Sequence, residues 1–167
     1  MPEPSKQLLE TIARHADPRV PLSIVLTMAE RESHFDPSII GDAGEFGLFQ
    51  LLPKTVREEL KYTGPLEALR EPGLNTKLAT KYLVILKDRF AEWPVAVRAY
   101  NGSGAAARTY AAGVFQRLPV WDKFVRDNLE FFRNAIATRG AGVLGIIAAA
   151  AAVVVVLIFS SQKNREA

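Results

Sequence analysis

Glu32 has the residue type and the setting that acid–base chemistry asks for. It stands in the stretch Met28-Ala29-Glu30-Arg31-Glu32-Ser33-His34-Phe35-Asp36-Pro37. Leu22, Val25, Met28, Ala29 and Glu32 follow the i, i+3, i+4 rule, so a helix with Pro21 in its first turn carries Glu32 at the C-terminal end of its apolar stripe. The helix dipole disfavours a carboxylate at that end. An apolar, partly desolvated seat raises the pKa of a carboxyl and lets it hold a proton near neutral pH. Such an acid can protonate a leaving oxygen, the first demand of glycosidic-bond cleavage. Position alone does not separate this reading from an ordinary salt-bridged or surface glutamate. Asp36, Asp42 and Glu45 follow closely and are candidates for a second carboxylate, although Asp36 before Pro37 also reads as a helix stop and turn residue.

The elements that must position Glu32 read as helices. Ser5 caps a first helix with the stripe Leu8, Leu9, Ile12 and Ala13, which Asp17-Pro18 ends. The helix carrying Glu32 ends at Asp36-Pro37. Residues 38–50, with Gly41, Gly44 and Gly47 and no sustained period, read as a loop. Pro53 opens a short helix, and Thr63-Gly-Pro and Glu71-Pro-Gly are turn signals. A long amphipathic helix is predicted over 75–90, with Leu78, Tyr82, Ile85, Leu86 and Phe90 facing the core. Trp93-Pro94 opens another helix that runs into Tyr100-Asn101-Gly102-Ser103-Gly104. Helical pattern resumes at 105–112 and again over about 121–139. No stretch alternates as a half-buried strand does, so the body is expected to be all-α.

Composition removes several function classes. The chain of 167 residues suits one domain, and its formal charge of +3 comes without a Lys/Arg cluster interleaved with aromatics, so nucleic acid is not an expected partner. There is no cysteine, and His15 and His34 are the only histidines. Disulfides are excluded, and neither a metal nor any other cofactor is expected. Ala141 to Phe159 runs without a charge or a proline. At about 1.5 Å per residue it matches a hydrocarbon core, and it reads as a single transmembrane helix. The expected organisation is a catalytic body over 1–139, a membrane helix over 140–160 and a short polar tail over 161–167.

Three separated motifs sharpen the functional reading. Glu32-Ser33-x-Phe35-Asp36-Pro37 is the first. Ala43-Gly44-x-x-Gly47-Leu48-Phe49-Gln50-Leu51-x-Pro53-x-Thr55 is the second, and Ala99-Tyr100-Asn101-Gly102 the third, with Asn75 and Tyr82-Leu83 between them. In order and spacing they resemble the lytic transglycosylases of the soluble-transglycosylase and goose-lysozyme group, over roughly residues 20–130. The resemblance implies a lysozyme-like fold and peptidoglycan as substrate. It implies that Glu32 acts first as acid and then as base, leaving a 1,6-anhydro end on N-acetylmuramic acid. It further implies that Gln50 and Asn101 bind the sugar's N-acetyl and hydroxyl groups, that Ser33 lines the cleft, and that Tyr100 hydrogen-bonds to Glu32. Phe49 would offer an apolar wall to a sugar ring, or pack in the core. Members often carry a Pro-x-Glu-Thr-x-x-Tyr-Val stretch. Pro119-Val-Trp121-Asp122-Lys-x-Phe124-Val125 keeps its outline here but has Phe124 in place of the tyrosine.

The setting follows from the substrate. Peptidoglycan lies outside the cytoplasmic membrane, while Met1-Pro-Glu-Pro-Ser-Lys-Gln lacks the basic-then-apolar pattern of a secretory signal. A membrane-containing bacteriophage that holds the enzyme in its virion membrane, among other virion proteins, and opens the host wall from the periplasmic side reconciles the two. The competing readings are a hydrolytic muramidase and a non-catalytic membrane-anchored structural protein. Retention of Glu32 with Gln50, Tyr100 and Asn101 argues against the last.

Overall fold

Each regular element in the computed structural model, which describes residues 4–138, is helical. In chain order these are α1 (Lys6–His15), α2 (Leu22–Ser33), α3 (Pro53–Glu58), α4 (Pro72–Phe90), α5 (Trp93–Tyr100), α6 (Gly104–Asp127) and α7 (Leu129–Ala137). A 3-10 turn at Leu66–Arg70 precedes α4. The all-α expectation for the body is met. The expected membrane helix over 140–160 and the tail over 161–167 lie outside the described residues. Among the described residues no helix is long and apolar enough to cross a membrane.

α2 is the axis of the body. Residues Ser23 to Glu30 are all buried, because α6 lies along α2 on one side and α1 meets it on another. A helix enclosed on most sides has no need of a polar face, and its small polar residues must find partners within it. Thr27 does so by donating its hydroxyl to the Ser23 carbonyl at 2.7 Å. α4 packs against α1 and α5, and α7 returns to α1, where the Arg14 Nε donates to the Thr138 hydroxyl at 3.1 Å. α2 stops earlier than Asp36-Pro37 suggests. His34 and Phe35 both take positive φ, 52° and 64°, and the chain turns away directly after Ser33. Two consecutive left-handed residues that are not glycine cost about 1–2 kcal/mol each. Burial of Phe35 against Trp121, with ring centroids 5.3 Å apart, holds the turn, and Asp36 then caps the next one by accepting from the Ser38 amide at 2.8 Å.

Two more helices differ from their sequence-based bounds. α4 starts at Pro72 rather than Asn75, because the Glu71 carboxylate accepts from the amides of Gly73 and Leu74 and Pro72 sits in the first turn. What reads as a turn signal is a helix cap. The buried arc of α4 is also wider than one stripe, since helices cover it on two sides. Leu78 and Leu86 are buried as expected, Tyr82 and Ile85 are half-buried, Phe90 is exposed, and Ala79, Leu83 and Val84 join the core. α6 is one helix where the sequence suggests two, with Pro119 inside it. A proline there removes a helix hydrogen bond, and the helix persists because Arg117 and Trp121, on either side, are both tied to Glu30 of α2.

The segment that joins α2 to α3 folds against the body through a single amide side chain. Asn75, fully buried on α4, accepts from the Phe49 amide at 2.9 Å and donates to the carbonyls of Phe46 (2.9 Å) and Leu69 (2.8 Å). Phe46 and Leu51 exchange both backbone hydrogen bonds at 3.0 Å, which closes a small turn around Gly47. Gly47 has φ of 72°, and a Cβ there would lie 2.6 Å from the Leu69 carbonyl oxygen, so only glycine lets the loop lie this close to the 3-10 turn before α4. Removing the amide strands three buried backbone groups. Asn75→Ala is therefore expected to lower unfolding stability by about 3 kcal/mol, read by chemical denaturation at constant pH.

Candidate active site

The last turn of α2 delivers Glu32 to the edge of the core. Its neighbours Ala29 and Met28 are fully buried, while Glu32 itself is half-buried and reaches a groove of about 520 Å³. Burial pushes its pKa up from 4.5 to about 7; a hydrogen bond from Tyr110 and the positive charge of Arg31 pull the other way, and the negative charge of Glu45 adds to the rise. The Tyr110 hydroxyl donates to Glu32 Oε1 at 2.5 Å. Burial and the adjoining Glu32 in turn push the phenol pKa of Tyr110 far above its usual range, so the hydroxyl stays a donor. The site thus holds a carboxyl that titrates near neutrality and is oriented by one neutral hydroxyl.

That hydroxyl donor corrects the expectation for Tyr100. The Tyr100 hydroxyl points instead to the Phe49 carbonyl, at 2.8 Å. Its ring lies 5.5 Å from that of Tyr82, and burial pushes its pKa well above the ordinary tyrosine value. Phe124, the phenylalanine standing where the resemblance expects a tyrosine, packs at 5.3 Å from Trp121. The hydroxyl on the acid comes from about four turns earlier on the same helix. Tyr110 was detectable in the sequence: with Ala107, Ala111 and Val114 it forms an i, i+3, i+4 face, and a tyrosine on a buried face needs a partner for its hydroxyl.

The other residues singled out from the sequence fall into two groups. Ser33, Phe49 and Tyr100 serve the core and the backbone of the loop before α3. Ser33 is 1 % exposed, and its hydroxyl is 2.9 Å from the Leu48 carbonyl and 3.2 Å from that of Ala29. Phe49 is fully buried in the core. Together with Asn75 these contacts engage the backbone of residues 46–49 from α2, α4 and α5 at once. Gln50 and Asn101 stand further out. Gln50 is half-buried with φ of 44°, and its amide donates to the Gly47 carbonyl at 2.8 Å. Asn101 is exposed in the turn after α5, where Gly102 and Gly104 take positive φ.

Of the three further carboxylates, Glu45 is the one whose charge raises the pKa of Glu32. Asp36 is exposed and occupied by Ser38, whose hydroxyl and amide hold its pKa below the usual carboxylate value. Asp42 is exposed. The Glu45 carboxylate accepts from the Ala43 amide at 2.9 Å and lies over Gly41, where a Cβ would collide with it and would sit 2.6 Å from the Gln50 Oε1. Among the described residues no group of acidic or histidine side chains could hold a metal ion.

Residues 11–117 match the transglycosylase SLT domain family. The chain belongs to that family. The SLT domain is 30% identical over 95 residues to a soluble lytic murein transglycosylase of Salmonella typhimurium, an alignment covering 53% of this chain and 15% of the relative. It is 31% identical over 105 residues to a membrane-bound lytic murein transglycosylase C of Haemophilus ducreyi, covering 54% of this chain and 29% of the relative. The chain spans less than a third of the length of either curated relative. No solved structure matches it.

The raised pKa of Glu32 has a consequence for stability. Between pH 4.5 and about 7 the folded carboxyl keeps a proton that the unfolded one releases, so the folded state loses stability as pH rises across that window. Glu32→Gln removes the titration. The variant is expected to match wild type more closely near pH 4.5 and to exceed it at pH 8, with a difference between the two pH values on the order of 2 kcal/mol. Denaturant midpoints at several pH values would read this, and a constant offset at all pH values would contradict it.

Proposed function

We propose that the chain is a peptidoglycan lytic transglycosylase that cleaves the β-1,4 bond from N-acetylmuramic acid to N-acetylglucosamine and leaves a 1,6-anhydro end. The observation that carries the reading is a half-buried Glu32 whose carboxyl titrates near pH 7 and is oriented by Tyr110. Family membership and the names of the two relatives support the reaction class. The Glu32 carboxyl gives its proton to the glycosidic oxygen as the bond from C1 breaks, and the substrate's acetamido oxygen closes on C1. The carboxylate then takes the proton of the C6 hydroxyl, whose oxygen attacks C1 and releases the acetamido group. Glu32 ends as it began, protonated. Gln50 and Asn101 are assigned to the sugar's N-acetyl and hydroxyl groups, while Ser33, Phe49 and Tyr100 fix the loop on which Gln50 stands.

A hydrolytic muramidase is the second reading, and Glu45 is what favours it. A carboxylate in electrostatic reach of the acid could activate water in place of the C6 hydroxyl. For the cellular setting we propose anchorage by residues 140–160 in the virion membrane of a bacteriophage, with the body opening the host wall during genome delivery. The uncharged run from Ala141 to Phe159 supports the anchor. Purified particles that lack the chain would overturn the virion setting.

Mass spectrometry of peptidoglycan digested by the full chain separates the enzymatic readings. Anhydro products, one water lighter than hydrolysis products, are expected from wild type and absent from Glu32→Gln. Reducing-end products that disappear in both Glu32→Gln and Glu45→Gln would establish the hydrolase instead.

A further inference from the structure

The groove that receives Glu32 is also reached by Arg31, the residue before it on α2. Arg31 is exposed, and among the described residues its guanidinium makes neither a hydrogen bond nor an ion pair. It is nonetheless held in place. Its Cζ lies 5.2 Å from the centre of the Tyr110 ring, the same ring whose hydroxyl orients Glu32. It also lies against Gly113, three residues further along α6, where a Cβ would come within 2.7 Å of that Cζ. The absence of a side chain at Gly113 makes the seat. A guanidinium stacked on a ring keeps its in-plane N–H donors free, and these match a carboxylate in bidentate geometry.

The other guanidinium in the groove is not available in this way. Arg117 donates to both oxygens of Glu30, at 2.8 and 2.9 Å, and the Trp121 indole adds a third bond to that carboxylate at 2.7 Å. Glu30 is held ionised, mainly by the Arg117 hydrogen bonds. One cation of the groove is therefore neutralised and structural, while Arg31 is positioned and unspent beside the acid.

We propose that Arg31 is a specificity-determining residue that binds a carboxylate carried on the muramic acid C3 substituent of the strand being cut. This rests on the peptidoglycan reading above. Two carboxylates share that chemistry, those of the stem peptide and the lactyl carboxylate left free where the peptide has been removed. Either would distinguish muramic acid polymers from uncharged N-acetylglucosamine polymers of the same backbone. Arg31 also lowers the pKa of Glu32, but that influence acts equally on every substrate, so a preference between substrates isolates the binding role.

The test is kcat/KM of the full chain on three sets of glycan strands: peptide-bearing, peptide-stripped with free lactyl carboxylates, and strands whose carboxylates are converted to methylamides. Wild type is expected to prefer a carboxylate-bearing set over the methylamides by about fivefold, mostly through KM. Whichever charged set is preferred names the carboxylate. Arg31→Gln is expected to abolish the preference, whatever change it makes to the rate common to all three sets, and Arg31→Lys to keep part of it. Gly113→Ala, which displaces the guanidinium without removing its charge, should lose the preference too. Equal falls on all three sets in Arg31→Gln would reduce Arg31 to packing and overturn the proposal, as would a wild type without preference. Turnover of none of the sets would overturn this inference and the activity it rests on together.

Discussion

Keeping one carboxyl from ionising while its neighbours remain charged is the constraint on which this structure turns. Glu32 and Glu30 are two residues apart on α2, which places them about 200° apart around the helix axis. Glu30 faces Arg117 and Trp121, accepts three hydrogen bonds from them, and is held below the usual carboxylate value. Glu32 accepts a single hydrogen bond among the described residues, from a phenol, and burial carries it up to about 7. Environments that drive two carboxyl groups apart suit one to a structural ion pair and the other to holding a proton. The same three bonds at Glu30 also hold α6 along α2 across Pro119, and α6 is the helix that brings Tyr110 to Glu32. The structural carboxylate thus maintains the environment of the reactive one.

The second requirement is a loop that stays in place beside the acid. Residues 46–49 carry backbone groups that would be exposed on a free loop, and side chains from three helices take them up. Ser33 takes the Leu48 carbonyl, Asn75 the Phe49 amide and Phe46 carbonyl, and Tyr100 the Phe49 carbonyl. Gln50 follows immediately, with positive φ, at the edge of this clamp. Of the five non-glycine residues with positive φ among the described residues, three flank these elements, His34 and Phe35 at the end of α2 and Gln50 at the end of the loop, while Lys61 and Ala91 lie elsewhere.

Glu32 was legible in the sequence because an acid ending an apolar stripe of period 3.6 is a local pattern. The helical body was legible for the same reason. The pairing of the acid with its partner was not, because the Tyr110 contact spans 78 residues: the apolar face around Tyr110 marks the ring as buried without saying which group its hydroxyl meets. Tyr100, Ser33 and Phe49 stood out through resemblance, which marks positions without saying what they touch; here each engages the loop backbone or the core. Asn75 stood out in the same way, and its reason is the unmet hydrogen bonds of a loop far from it in sequence. The start of α4 was misread because Glu71-Pro72-Gly73 fits a turn and a capped helix equally until the amides of Gly73 and Leu74 are seen on the Glu71 carboxylate.

The account stands on Glu32 holding a proton near neutral pH. Site-resolved carbon-13 NMR of the glutamate carboxyls in the full chain, with the Glu32 signal assigned by its loss in Glu32→Gln, measures that directly. A titration midpoint near pH 7 is the result predicted. A midpoint near 4.5 would mean that the carboxyl is ionised when the site works, and it would contradict Glu32 as the acid.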